Sequence, residues 1–307
     1  MSELEYVPVP FFEDNYAWLI TDGRAAIVVD PGDAGPVIRY CEENHLKLAG
    51  ILITHHHPDH VGGIDGLLGW SGNYTIPVYG PAKTHISGVS IRIGHGFCVT
   101  FEEPAFQATV IAVPGHTQDH IAFFEAGEGA GVPHLFCGDT LFASGCGRLL
   151  EGTAEQMLAS LDELAQLPLS TRVHCAHEYT LANIQFSLRC DPSNNDVSDW
   201  YDQARALRAE GAPTLPTTLR HELAVNPFLR VHSPEIRAAL INQFNVPVPN
   251  PLAAFILLRG WKDLFSVEEA IPVKRRWPPT LLKHESSYIH GDLIRIDGGE
   301  TLCRVSV

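Results

Sequence analysis

Four histidines and one aspartate stand within seven consecutive residues, Thr54-His55-His56-His57-Pro58-Asp59-His60. The apolar run over residues 48–53 precedes them, which indicates a buried strand ending in a loop, where α/β folds usually place their chemistry. Side chains alternate along an extended chain, so His55 and His57 are expected to point to the same side. Imidazole pairs at this spacing are typical of metal ligands.

The residues after this pair extend the prediction to a second set of ligands. Pro58 suits the first turn of a helix, and such a helix would turn Asp59 and His60 towards the same cavity from its other side. Two ligand pairs are therefore expected at one strand end. The alternative is an exposed polar loop or a histidine tag, but a tag is terminal and carries no aspartate.

Three further apolar runs end in residues with the same chemistry. The first is followed by His116, the second by Asp139 and the third by His177. A single histidine after a strand is more often structural than functional, but four such strand ends favour a metal centre. Nitrogen and oxygen donors without thiolate suit zinc, with iron or manganese as alternatives.

Length, charge and cysteine usage restrict the class of protein. A chain of 307 residues is long enough for one large domain and a smaller one. A formal net charge of -15 argues against broad binding to nucleic acid or to an anionic membrane. Seven scattered cysteines do not suggest a disulfide framework. With no signal-peptide pattern and no apolar run of about 18 residues, a cytoplasmic protein is expected.

The order of predicted elements indicates a mixed sheet covered by helices, followed by a smaller helical part. Strands are predicted over residues 5–10, 17–21, 25–30, 48–53, 77–79, 90–93, 109–113, 121–124, 133–137 and 171–175. Helices are predicted over residues 35–44 and 154–164, and then over 181–189, 196–209, 218–224, 234–244 and 251–261. In the last segment, two strands are predicted over 292–296 and 301–305, about the turn Asp297-Gly298-Gly299.

The histidine and aspartate motifs together resemble those of the metallo-β-lactamase superfamily. They are Thr54-His55-x-His57-x-Asp59-His60, Gly115-His116-Thr117, Gly138-Asp139-Thr140 and His177-Glu178-Tyr179-Thr180. Four further motifs are similar to those of the glyoxalase II, or hydroxyacylglutathione hydrolase, family. They are Gly145-Cys146-Gly147-Arg148, Glu151-Gly152-Thr153, Asn226-Pro227-Phe228-Leu229-Arg230 and Leu258-Arg259-x-x-Lys262-Asp263-x-Phe265. The resemblance covers about residues 4–265.

This resemblance implies a fold and a division of the chain. The fold is a metallo-β-lactamase αββα sandwich with a C-terminal helical domain and a short C-terminal extension. Residues 1–178 would form the metal-binding catalytic domain and residues 179–265 a helical glutathione-binding domain. Residues 266–307 lie beyond the resemblance, and we expect them to be an accessory element that packs on the body or on a neighbouring subunit.

The resemblance also implies which residues hold metal and substrate. One divalent ion would take His55, His57 and His116, the other would take Asp59, His60 and His177, and Asp139 would bridge both. Asp59, His60 and Asp139 carry the catalytic role in this scheme. The contacts to glutathione fall on Arg148, Tyr179, Arg259 and Lys262, and Leu150 stands where the family commonly has an aromatic residue.

The implied activity is the hydrolysis of S-(2-hydroxyacyl)glutathione thioesters, chiefly S-D-lactoylglutathione, to D-lactate and glutathione in methylglyoxal detoxification. Elementary chemistry agrees, because two metals about 3.5–4 Å apart lower the pKa of a shared water to near neutrality. A departing thiolate, with a free pKa of about 8.5, needs little help from a general acid. The expected partner is thus a small-molecule glutathione thioester, and the expected assembly a monomer or a weak homo-oligomer.

Two other functions stay open at this point. One is a mononuclear-iron persulfide dioxygenase of the same fold, and the other is a non-catalytic binding module stabilised by metal. Retention of Asp59, His60 and the His177 motif favours the two-metal hydrolase. Among the remaining histidines, His56 is expected to point away from the centre, and His120 and His174 are expected to be structural rather than partners of ligands.

Overall fold

The computed structural model describes residues 4–127 and 131–265, together with the backbone of two short strands, Leu293–Arg295 and Thr301–Arg304. The strands, in chain order, are β1 (Glu5–Phe11), β2 (Asn15–Thr21), β3 (Ala25–Val29), β4 (Lys47–Leu52), β5 (Val78–Pro81), β6 (Ile91–Ile93), β7 (Cys98–Phe101), β8 (Phe106–Ala112), β9 (Ile121–Glu125), β10 (His134–Gly138), β11 (Leu141–Phe142), β12 (Gly145–Cys146), β13 (Arg172–Cys175), β14 (Thr217–Thr218), β15 (Leu293–Arg295) and β16 (Thr301–Arg304). The helices are α1 (Ala34–Glu43), α2 (Pro58–Val61), α3 (Ile64–Ser71), α4 (Ala154–Leu164), α5 (Thr180–Cys190), α6 (Asn195–Ala209), α7 (Leu219–Val225), α8 (Pro234–Phe244) and α9 (Pro251–Leu264).

Two six-stranded mixed sheets form the body of the molecule. The first has the order β1-β2-β3-β4-β5-β6, with antiparallel pairs up to β3 and parallel pairs after it. The second has the order β14-β13-β10-β9-β8-β7, in which only β10 and β13 are parallel. The mixed sheet expected from the sequence is therefore confirmed, with a second one beside it.

Alternation along the central strands of the first sheet supplies two apolar faces. In β2, Trp18 and Ile20 belong to a buried cluster that includes the inner residues of the second sheet. Ala17 and Leu19 instead pack with residues of α1 and α3, such as Val37 and Leu67. Because successive side chains of a strand point to opposite faces, the sheet is covered by a sheet on one side and by helices on the other. These are three of the four layers of the αββα order that the resemblance implied.

The helical part after residue 178 begins with α5 and joins the same interior. Phe186, Phe228 and Phe255 are fully buried and belong to the cluster that fills the space between the sheets. A smaller apolar cluster is centred on Ile184, Val197 and Trp200. Within the described ranges, no helix combines the length and the apolar character needed to cross a bilayer.

Most predicted elements are present, with instructive differences. Helices α4 and α8 have the predicted bounds, whereas α9 continues to Leu264, three residues further than predicted. Strand β7 was not predicted, because four residues at a sheet edge give too little periodicity. Strands β15 and β16 pair antiparallel, as predicted for the last segment. The remainder of residues 266–307 lies outside the described residues, and with it the predicted accessory role.

Candidate metal centre

The end of β4 is held by a buried carboxylate. Asp30 Oδ1 accepts a hydrogen bond from the Thr54 amide at 2.8 Å, and Oδ2 accepts one from the Thr54 hydroxyl at 2.7 Å. The next turn approaches the Pro31-Gly32 turn so closely that a Cβ on Gly32 would lie 2.0 Å from the Asp59 carbonyl oxygen. A residue without a side chain is therefore required at position 32. Helix α2 then starts at Pro58, as expected from the preference of proline for the first turn of a helix.

Three imidazoles converge on one point. His55 Nε2 lies 3.0 Å from His57 Nδ1, and His116 Nε2 lies 3.1 Å from the same atom. Nitrogens bound to one zinc at about 2.0–2.1 Å in a tetrahedron are separated by roughly 3.3 Å. The spacing of these three nitrogens therefore suits a single ion, and the three residues form a group capable of holding one.

A second group of donors lies beside the first. His60 Nε2 and His177 Nε2 are each 3.5 Å from Asp59 Oδ2. These three residues also form a group that could hold a metal ion. His60 and His177 are buried, and Asp59 is half-buried at the edge of the site.

Asp139 faces both groups with different oxygens. Its Oδ2 lies 3.4 Å from His116 Nε2 in the first group. Its Oδ1 lies 3.5 Å from His60 Nε2 and 3.3 Å from His177 Nε2 in the second. One carboxylate between two donor triads is the arrangement of a binuclear metal site.

Outer contacts orient the imidazole rings. His116 Nδ1 lies 2.9 Å from the Arg148 carbonyl oxygen, and His177 Nδ1 lies 2.8 Å from Asp14 Oδ1. His60 Nδ1 lies 3.1 Å from Asp30 Oδ2. An N–H donated outward leaves Nε2 with its lone pair towards the site, which is how histidine ligands are usually fixed.

The electrostatics of the site favour bound cations. Burial, and then His60, hold the pKa of His55 well below its usual range. Burial alone would raise the pKa of Asp139, but His60 and His177 hold it well below the usual range. Burial lowers the pKa of His177, but Asp139 and Asp14 outweigh it and raise the pKa to about 9. The carboxylate is therefore ionised, and divalent ions would take the place of imidazole protons around it.

Two family models match the chain. The one described as "Metallo-beta-lactamase superfamily" matches residues 11–177, and the one described as "Hydroxyacylglutathione hydrolase C-terminus" matches residues 178–265. A hydroxyacylglutathione hydrolase from Cupriavidus taiwanensis is 51% identical over 267 residues, which cover 85% of this chain and 99% of the relative. Another, from Shewanella halifaxensis, is 49% identical over 264 residues, covering 85% and 100%. The chain belongs to the hydroxyacylglutathione hydrolase family.

The chain is also similar to a solved structure. The crystal structure of TTHA1623 in a di-iron-bound form has a TM-score of 0.50 and 25% sequence identity to this chain. The match covers 73% of this chain and all of that protein (100%). The family models and the relatives confirm the resemblance drawn from the motifs, for the family and for the metallo-β-lactamase fold.

Three histidines lie outside the two donor groups, and their roles differ. His120 accepts a hydrogen bond from the Asp139 amide at 3.1 Å and stacks on His55, with ring centroids 4.6 Å apart. It therefore supports the centre, whereas the sequence favoured a structural role. His174 packs against Trp18 in the core, as expected. His56 points away from the site, and its Nε2 lies 3.0 Å from Glu151 Oε1.

The four predicted glutathione contacts fall into two pairs. Tyr179 stacks on the His177 ring with centroids 4.7 Å apart and is 37% exposed, and Arg148 is exposed beside His116. The structure therefore brings the Tyr179 ring and the Arg148 backbone to the metal centre, and both side chains are open to solvent. They are accessible to a substrate.

Arg259 and Lys262 make internal contacts instead of forming a solvated pair. Arg259 is only 4% exposed, and it donates to the Cys146 carbonyl oxygen at 2.9 Å and to Asp263 Oδ1 at 2.8 Å. Lys262 Nζ donates to the Ala182 carbonyl oxygen at 3.1 Å. Burial, and then Arg259, lower the pKa of Lys262 to about 8. Asp263 forms an ion pair with Arg259 and so offsets its charge.

Sequence reasoning did not find Asp14 and Asp30. Both contact imidazoles far along the chain, and Asp14 is 163 residues from His177. Asp30 did carry a signal, because it follows the apolar run of β3 as the ligands follow theirs.

Proposed function

We propose that the chain binds two divalent ions between β4, α2 and the ends of β8, β10 and β13, and that it carries out the reaction of its family there. As a hydroxyacylglutathione hydrolase it is a thioester hydrolase of the glyoxalase II type. Its substrates are S-(2-hydroxyacyl)glutathione thioesters, chiefly S-D-lactoylglutathione, and its products are D-lactate and glutathione. The observation that carries this proposal is the position of Asp139 between two donor triads.

His55, His57 and His116 would hold one ion, Asp59, His60 and His177 would hold the other, and Asp139, which faces both groups, would serve both. This assignment rests on the fit between the donors and a cation. Among the described residues, His60 Nε2 and Asp139 Oδ1 are buried without a hydrogen-bond partner. Leaving such atoms unsatisfied costs about 1–3 kcal/mol each, and a metal ion in contact with both removes that cost.

Zinc is the metal that the donor set favours. Both triads offer only nitrogen and oxygen, which suit zinc and also accommodate iron or manganese. The di-iron form of TTHA1623 shows that a chain of similar fold holds two ions of another metal. The complete second triad favours the hydrolase over a mononuclear-iron dioxygenase, which needs one ion only.

The protein's part in the reaction is orientation. Two bound ions would supply a water of lowered pKa and polarise the thioester carbonyl. Asp59, His60 and Asp139 carry the catalytic role through the positions of their donor atoms. Outer contacts fix these atoms: Asn15 Nδ2 donates to Asp59 Oδ2 at 3.1 Å, Asp30 lies beside His60, and His120 accepts from the Asp139 amide. The departing thiolate is a good leaving group, so no side chain is required as a general acid.

Substrate binding involves Arg148, Tyr179, Arg259 and Lys262. Arg148 and Tyr179 lie at the rim of the centre, where the tripeptide can reach them. Lys262 provides a positive charge for a glutathione carboxylate. Arg259, whose charge Asp263 offsets, supports this place by holding the Cys146 carbonyl. Leu150 is 59% exposed and offers an apolar contact at a position where the family commonly offers a ring.

We also propose a division at residues 178 and 179 into a catalytic and a glutathione-binding part, with residues 266–307 as an accessory extension. A cytoplasmic location and a monomeric or weakly homo-oligomeric state complete the proposal. The location is supported by the cysteines, since the six in the described part of the chain are free thiols.

The proposal is tested with protein whose metal content has been quantified. Wild-type protein with two ions per chain is expected to hydrolyse S-D-lactoylglutathione and to release one glutathione per thioester. The dioxygenase would instead bind one iron and consume oxygen with glutathione persulfide. Finding that second pair of results would overturn the proposal.

A further inference from the structure

The segment over residues 142–148 connects the metal centre to the helical part, and we call it the Cys146 segment. Its backbone is held by side chains from α5, α7 and α9. The Ser144 amide donates to Glu222 Oε2 at 2.8 Å, and Asn226 Nδ2 donates to the carbonyl oxygens of Phe142 and Gly145 at 3.1 and 3.0 Å. Arg259 holds the next carbonyl, that of Cys146.

One residue in the Cys146 segment has an unfavourable backbone conformation. Ser144 has φ of 55°, in the left-handed region that residues other than glycine rarely adopt. Such a conformation persists only where surrounding contacts determine it. Glu222 accepts from the Ser144 amide, and Ser187 Oγ, which donates to the Asn183 carbonyl at 3.1 Å, lies 3.4 Å from the Ser144 carbonyl oxygen.

The far end of the segment contacts the metal ligands. The Arg148 carbonyl oxygen lies 2.9 Å from His116 Nδ1. A Cβ on Gly147 would lie 2.0 Å from the Asp139 carbonyl oxygen and 3.2 Å from His116 Cβ, so there is no free space between the segment and these ligands. A shift of the segment would therefore turn the His116 ring and move Arg148.

Glu222 is an unusual residue at this place. It is fully buried, and its contacts are the Ser144 amide, Asn226 and the Thr217 side chain rather than a cation. Burying a carboxylate without a cation is unfavourable. The hydrogen bond from the Ser144 amide to Glu222 is therefore formed at the expense of folding free energy. Asn226 opens the Asn226-Pro227-Phe228-Leu229-Arg230 motif, which the metal and substrate assignments leave unexplained.

We propose that Glu222 and Asn226 are positioning residues that fix the Cys146 segment, and through it the His116 ring and Arg148. The inference rests on the proposed function, because it takes His116 as a metal ligand and Arg148 as a substrate contact. The helical part then acts on the metal centre as well as on glutathione.

The first test is Asn226→Asp. The carboxylate keeps the acceptor for the Phe228 amide, which Asn226 Oδ1 serves at 3.1 Å, but it turns an oxygen towards the carbonyls of Phe142 and Gly145. Asn194→Asp is the matched control, since Asn194 Nδ2 donates to Asp191 and to the Ala224 carbonyl in the helical part rather than to the Cys146 segment. Zn²⁺ affinity is measured by competition with a chromophoric chelator, alongside kcat and KM for S-D-lactoylglutathione and the Tm.

We expect Asn226→Asp to weaken Zn²⁺ binding at one of the two sites by roughly 10-fold and to raise KM. This is the lower end of the loss in metal affinity that follows when a residue supporting a metal ligand is changed. Asn194→Asp should lower the Tm to a similar degree with unchanged Zn²⁺ affinity and KM. Equal effects of the two variants on Zn²⁺ affinity and KM would overturn the proposal, because both residues would then be merely structural. Asn226→Ala, which removes the donor without adding charge, serves for the same comparison if the aspartate variant does not fold.

A second pair of variants asks for rescue by a conservative change. Glu222→Gln keeps an acceptor oxygen for the Ser144 amide, so it should have the Zn²⁺ affinity and KM of the wild type. Glu222→Leu has no acceptor, so its Zn²⁺ affinity should fall and its KM should rise. A glutamine variant as impaired as the leucine variant would contradict the positioning role. Wild-type protein that fails to bind two ions or to hydrolyse the thioester would refute the proposed function instead, so the two failures are distinguishable.

Discussion

At the scale of single residues, Asp139 is the side chain on which both proposed ions depend. Asp139→Ala removes the only donor that faces both triads among the described residues and leaves two cations without a screening charge between them. We expect metal affinity and turnover to fall together, by roughly 100-fold or more. This exceeds the loss typical of changes to residues that only support a metal ligand. Metal analysis and kcat measure this. A variant with two tightly bound ions and near-normal hydrolysis would show that Asp139 does not bridge.

Lys262 should affect substrate binding rather than chemistry. Lys262→Met keeps the aliphatic length but removes the charge, so KM for glutathione thioesters should rise and lose much of its salt dependence, with kcat little changed. In the wild type, KM should rise as the pH passes about 8, because Lys262 then loses its proton. An equal KM in variant and wild type would show that Lys262 does not contact the substrate.

Arg259→Met removes the hydrogen bond to the Cys146 carbonyl and should lower the Tm instead.

The residues that carry a local signal are those that sequence reasoning can find. His55, Asp139 and the other proposed ligands each follow an apolar strand, so their positions are visible in a short window. Asp14 and His120 act through contacts between distant segments, and no local pattern reveals these. The burial of Arg259 was also hidden, since helical spacing places it on a face with Lys262 but does not tell what covers that face.

At the scale of elements, α7 carries a carboxylate whose ionisation opposes folding. Burial, only partly offset by the hydrogen bond from the Ser144 amide, raises the pKa of Glu222 to about 7. The folded state therefore binds more protons than the unfolded state between about pH 4.5 and 7, and stability is lost as the pH rises through that window. Glu222→Gln removes this loss. Relative to the wild type, it should gain about 2 kcal/mol in the free energy of unfolding between pH 5.5 and pH 8.

Urea unfolding of zinc-saturated wild type and variant at both pH values measures this difference. Saturation with metal in both proteins cancels the pH dependence of metal binding. A gap between wild type and variant that does not change with pH would show that Glu222 keeps an ordinary pKa in the folded protein.

Element bounds were predictable where the sequence contains the stop and start signals. Helix α4 begins with a capping box between Thr153 and Gln156, and α8 begins at Ser233-Pro234 and ends at the left-handed Asn245. Strand β7 has no such signals and is defined by its pairing with β8. The pairing order of the two sheets is likewise a tertiary property, so the sandwich followed from the family resemblance and not from periodicity.

At the scale of the whole molecule, we expect residues 266–307 to be separable from the catalytic body. The relatives are covered over 99% and 100% of their length by matches that span 85% of this chain, and all proposed ligands and substrate contacts precede Phe265. Truncation after Phe265 is expected to spare both ions and kcat while lowering the Tm or changing the oligomeric state. Metal analysis, kinetics, thermal unfolding and light scattering test this. Loss of metal on truncation would place the extension in the active site.

The claim on which the whole account depends is that two ions share Asp139 within one hydroxyacylglutathione hydrolase centre. X-ray absorption spectroscopy of the zinc-loaded wild type measures this directly through scattering of one metal by another. Two ions per chain with a metal–metal distance of about 3.5–4 Å are predicted. A spectrum of zinc-saturated protein with nitrogen and oxygen neighbours but no metal–metal scattering, at one ion per chain, would contradict the account.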